Sequence, residues 1–153
     1  MDTRATSQKL IAAGERLAKT VRFSRREIIE FARMSHDGNP LHLDAQAVRR
    51  AGFADIIASG QHSAAILMGM LATHFSRNDD GVQREMLCLN MNFAFQGPVF
   101  VDQDIALEWR VTSVEWNSKL QGSLAHLDGS ASIGQAKPSV VARGTILVKQ
   151  PAP

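Results

Sequence analysis

Residues 60–75, from Gly60 to Phe75, carry apolar or small side chains nearly all the way round at helical spacing, with Ser59 or Gly60 opening the run. A helix without a polar face is wrapped by other structure. The wrapping comes downstream: residues 87–95, 104–112 and 140–148 alternate as half-buried strands do. Residues 119–127 can pair with the strand before them across a turn near Trp116-Asn117-Ser118. Helices early, then a run of antiparallel strands, make an α+β pattern. Its simplest form is one apolar helix enclosed by a curved antiparallel sheet.

The chain has 153 residues and 44% hydrophobic content, enough for one globular domain with a real core and too little for two. Residues 1–153 read as a single unit with no repeat, low-complexity tract or linker; the loops at 78–81 and 134–138 are surface connections. Seventeen basic residues against fifteen acidic ones are too balanced for a dedicated nucleic-acid binder. Arg22, Arg25 and Arg26, and also Arg49 and Arg50, read as solvated faces, with contact to the phosphates of an anionic ligand as the alternative. Cys88 is the only cysteine, so no disulfide forms within the chain, and its apolar neighbours suggest a small buried hydrophobe. No uncharged apolar run reaches membrane-spanning length, and Met1-Asp2-Thr3-Arg4 leads into no apolar leader segment. The expectation is a soluble, cytoplasmic protein.

Two imidazoles, two carboxylates and an amide crowd into Ser35-His36-Asp37-Gly38-Asn39-Pro40-Leu41-His42-Leu43-Asp44. The helix before it places Ile28, Phe31, Ala32 and Met34 on one side, with Ser24 as N-cap and Glu27 completing a capping-box pattern. It ends before Pro40, which has no N–H and biases Asn39 away from the α region. Asp37, Asn39 and His42 therefore sit on a stiffened turn. Asp44 then N-caps a short helix that Gly52 stops.

This text resembles the MaoC-like dehydratases, also called R-specific enoyl-CoA hydratases or hydratase 2. The matching residues are 31–44 with their Asp-x-Asn-Pro-x-His-x-Asp core, then Ala51-Gly52-Phe53, Ile57-Ala58-Ser59-Gly60, Asn92-Phe93-Ala94-Phe95 and Pro98-Val99-Phe100, in family order over about residues 20–148. The resemblance implies a single hotdog fold and hydro-lyase activity, the reversible hydration of trans-2-enoyl-CoA to R-3-hydroxyacyl-CoA. It implies Asp37 and His42 as the catalytic pair and Asn39 as the residue that holds the site together. It also implies a homodimer, or a higher homo-oligomer, with a continuous sheet. The chain departs from the family pattern at His36, where Gly is usual, at Ser59, where His is frequent, at Val48 and at Asp102-Gln103.

Such a hydration needs a base for water, an acid for the α-carbon and a donor to the enolate oxygen. Asp37 and His42 can hold one water between them, and which of the two is the base is open at this level. The Gly60 N–H, at the head of the apolar helix, is the oxyanion donor. The scheme requires no metal or redox cofactor; coenzyme A belongs to the acyl-thioester substrate. Ser59 and His62 are pocket candidates, although a packing role suits His62 better, and His36, His62 and His74 lack metal-ligand spacing. Taken singly, Asp37 and Asn39 read as turn residues and Phe93, Phe95, Trp109 and Trp116 as core. The rival functions are a thioesterase on the same fold and a non-catalytic acyl-thioester binding protein.

Overall fold

The computed structural model describes residues 10–152. In chain order come strand β1 (Arg16–Arg22), helix α1 (Arg25–Met34), one turn of 3-10 helix (Pro40–His42), helix α2 (Ala45–Arg50) and helix α3 (Gly60–His74). Strands β2 (Glu85–Phe95), β3 (Asp104–Asn117), β4 (Gly122–Ser132) and β5 (Val140–Lys149) follow. All pair antiparallel in one sheet of order β1-β3-β4-β5-β2. Slips of register between Cys88 and Asn90 and between Val111 and Ser113 mark bulges that bend it. Helix α3 packs against β2, β3, β4 and β5. This is the expected hotdog arrangement, a curved sheet around one helix.

The core lies between that helix and the concave face. Leu67, Leu71 and Phe75 are fully buried there against Ile105, Leu107, Trp109, Leu127 and Ile146. The Trp109 indole donates to the Leu67 carbonyl at 2.9 Å, fastening β3 to the helix. Trp109 pairs across the ladder with Gly129, and its ring lies over that glycine so closely that a Cβ there would meet ring carbons at 2.5–2.7 Å. The enclosure of α3 is not complete: Ala65, Gly69, Ala72 and Thr73 form an exposed side of small residues.

Four sequence expectations need correction. Met34, placed on the apolar side of α1, is 72% exposed in the helix's last turn. Strand β1 has no strand pattern in its sequence, because Leu17 alone of its side chains is buried and its extended state comes from pairing with β3. The strand expected at 119–127 runs instead from Gly122 to Ser132, since residues 118–121 form the turn and the polar stretch after Leu127 still finds ladder partners on β3 and β5. Cys88 is exposed. It lies on β2, an outer edge of the sheet, where Leu87 and Leu89 are also about half exposed (50% and 49%). Among the described residues no helix is long and apolar enough to cross a membrane.

Candidate active site

The turn that carries Asp37 is fixed at both ends by local hydrogen bonds. Ser24 and Glu27 form the reciprocal capping box that starts α1. The helix ends at Ser35 in a Schellman arrangement: the His36 N–H reaches the Arg33 carbonyl at 3.2 Å and the Asp37 N–H the Ala32 carbonyl at 2.8 Å. The residue that takes the left-handed conformation this motif requires is His36, with φ of 57°. Asp37 thus leaves the helix in a set direction. Two residues on, the Asn39 side chain accepts from the Leu41 N–H at 3.1 Å and caps the 3-10 turn, in which Pro40 is the first residue and His42 the last.

His42 is buried, and its Nδ1 lies 2.7 Å from the Ile57 carbonyl oxygen. That oxygen can only accept, so Nδ1 carries a proton and Nε2 of the neutral ring presents a lone pair. Nε2 faces Asp37 Oδ2 at 3.3 Å. The Asp37 carboxyl is held below the usual carboxylate range, first by the Asn39 backbone N–H on Oδ1 at 3.1 Å, then by the Gln61 amide on Oδ2 at 3.1 Å and by the nearby imidazole, against some desolvation. With the ring protonated, Nε2–H donates to Oδ2 directly; with the ring neutral, two acceptors therefore confront one point in space. The group that satisfies both is a donor of two hydrogens, such as water.

That point opens into a cleft of about 660 Å³ lined by Asp37, Asn39, His42, Ser59, Gly60 and Gln61 on one side and by Phe95, Gln96, Gly97, Pro98 and Val140 on the other. The N-terminus of α3 faces it. Ser59 is the N-cap, its hydroxyl accepting from the His62 N–H. The Gly60 N–H, first in the helix, has no acceptor within it and sits at the positive end of the dipole. A Cβ at position 60 would lie 2.8 Å from the Phe95 ring, so any larger residue here must push that half-exposed side chain aside. Phe95 is 55% exposed rather than core, since it belongs to the edge strand and looks into the cleft.

The structure thus gathers Asp37, Asn39, His42, Ser59 and Gly60, and turns His62 away. Its ring is sandwiched between Phe23 and Phe31 at centroid distances of 4.1 and 4.3 Å, nearly parallel to both, and its buried Nδ1 has no hydrogen-bond partner among the described residues. Burial lowers its pKa, partly opposed by Glu27. His62 is a packing residue because α3 directs it at α1 and not at the cleft. Arg22, Arg25 and Arg26 pair with Asp104, Asp55 and Glu30, as solvated surface charges do. Gln61 is a site residue the sequence did not suggest, since nothing local distinguishes a glutamine in the first turn of a helix.

Comparison with known proteins identifies relatives of the whole fold. A family model described as "MaoC like domain" matches residues 7–126. A tomato (Solanum lycopersicum) protein named as a mitochondrial 3-hydroxyacyl-[acyl-carrier-protein] dehydratase is 26% identical over 72% of this chain and 62% of its own length, so the chain spans about three fifths of that relative. The (R)-specific enoyl-CoA hydratase of Aeromonas caviae is 28% identical over 71% of this chain and 76% of its own. The solved structure of an A. caviae (R)-hydratase superposes with a TM-score of 0.76, at 25% identity, over 92% of this chain and 98% of the other.

Proposed function

The chain belongs to the MaoC-like domain family, and on that premise we propose that it is a hydro-lyase that adds water reversibly across the double bond of a trans-2-enoyl thioester. The observation that carries this reading is the confrontation of His42 Nε2 and Asp37 Oδ2 across 3.3 Å, beside the open N-terminus of α3. A water donating to both atoms presents an oxygen lone pair to the β-carbon. As its C–O bond forms, the pair takes one proton from the water, and the electrons of the C=C bond move towards the thioester oxygen. The Gly60 N–H stabilises that enolate. Return of the proton to the α-carbon completes the addition, so that one water is consumed and no oxidant or metal enters the balance. His42 supplies the accepting lone pair, because its other nitrogen is committed to Ile57. Asp37, kept ionised by its donors, orients the water.

Coenzyme A is the expected carrier, and the relatives' names point equally to acyl carrier protein. The half-exposed apolar residues of the β2 edge, Leu87 and Leu89, suit a dimer that continues the sheet through β2.

The test is crotonyl-CoA with wild type, Asp37→Asn and His42→Ala, following loss of the enoyl-thioester absorbance while a thiol reagent reports free CoA. Hydration removes the absorbance without thiol and is abolished in both variants. Thiol release identifies a thioesterase. Tight acyl-CoA binding with neither signal, unchanged by Asp37→Ala, identifies a binding protein.

A further inference from the structure

Gln61 reaches from the first turn of α3 across twenty-four positions of sequence to the site turn, where its Nε2 lies 3.1 Å from Asp37 Oδ2 and 3.4 Å from Ser35 Oγ. A carboxylate can only accept, so the amide nitrogen, not the oxygen, must face Asp37. The oxygen it holds is the same one that faces His42 Nε2. Asp37 Oδ1 is held independently by the Asn39 backbone. The two oxygens turn together about the Cβ–Cγ bond, so the Asn39 N–H on one and the Gln61 amide on the other jointly set that rotation, and Gln61 is the donor on the oxygen that faces the imidazole.

We propose that Gln61 is a positioning residue, which clamps the Asp37 carboxylate in the plane that lets Oδ2 and His42 Nε2 share one water. The inference rests on the hydratase reading for its kinetic consequence, but not for the contact itself. Gln61 is exposed in the first turn of α3, and its side chain bonds to the site turn. Its loss frees the carboxylate to turn away from the imidazole and removes a donor to its ionised form. The defect then appears in the chemical step and not in substrate affinity.

The experiment compares wild type with Gln61→Met, which keeps the length and lacks the donor, and with Gln61→His, which restores an N–H at that place. Gln61→Met is expected to lower kcat by one to two orders of magnitude with KM within twofold; Gln61→His recovers part of kcat. In parallel, the Asp37 side-chain carbon is titrated by NMR, assigned with Asp37→Asn, and its midpoint is expected to rise in Gln61→Met. The titration reads the contact whether or not crotonyl-CoA is a substrate, so a wild type inactive on enoyl thioesters of both coenzyme A and acyl carrier protein sinks the hydratase reading alone. An unchanged Asp37 midpoint, or a Gln61→Met enzyme with wild-type kcat, overturns the proposal. A change confined to KM overturns it too, because that belongs to a substrate contact.

Discussion

Replacing Gly129 by Ala adds one methyl group at the point where the sheet is fastened to its central helix. The new Cβ would lie 2.5, 2.6 and 2.7 Å from three carbons of the Trp109 ring, where ordinary contact starts at 3.4 Å. Neither partner can yield easily. Gly129 is paired on both sides, to Trp109 and to Ala142, and Trp109 is fully buried with its indole N–H bonded to Leu67. Overpacking of this kind costs about 1–3 kcal/mol. The lower backbone entropy of Ala in a strand interior returns about 0.5–1 kcal/mol, which leaves a net loss of about 1 kcal/mol at the middle of the two ranges. In a chain of this length that is roughly 2–4 °C in Tm. Urea unfolding at fixed protein concentration measures it directly. The double mutant with Trp109→Leu supplies the control, because the smaller side chain vacates the space the methyl needs. The pair should then be less destabilised than the sum of the single changes by about 1 kcal/mol or more. A Gly129→Ala protein as stable as wild type, or strict additivity in the cycle, would refute the argument.

His62 provides a pH prediction. Its folded-state pKa lies below the ordinary 6.5, so above pH 6.5 the ring is neutral in both states and has no effect on the pH slope. As pH falls below 6.5 the unfolded chain takes up a proton that the aromatic sandwich resists, and stability declines. His62→Phe should remove that part of the decline, seen as a gain in Tm over wild type that is larger at pH 5 than at pH 8; an equal gain at both values would refute it. His36 adopts the left-handed conformation at the end of α1, and His36→Gly should stabilise by roughly 0.5–1 kcal/mol in denaturant unfolding, since Gly takes that conformation without a steric cost. At the β2 edge, Leu87→Lys combined with Leu89→Lys should shift sedimentation towards the monomer while leaving the circular dichroism of the fold intact.

The features legible in the sequence are those whose causes lie within a few residues. Ser24 and Glu27, Asp44, Gly52 and Ser59 mark helix ends because a cap satisfies backbone groups no more than three or four positions away. The all-round apolarity of 60–75 and the alternation of 87–95, 104–112 and 140–148 implied an enclosing sheet, because burial imposes its periodicity on the chain itself. The turn with Asp37, Asn39 and His42 was visible for the same reason. What the tertiary structure alone decided depends on partners far along the chain. Polar β1 is a strand because β3 offers it a ladder, and Cys88 and Phe95 are exposed because β2 ends up at the edge. The Ile57 carbonyl that sets the His42 tautomer, the aromatic walls that trap His62 and the Gln61 amide on Asp37 all arrive through packing. Periodicity says that a side chain is buried or exposed, whereas strand order and helix docking decide which groups it meets.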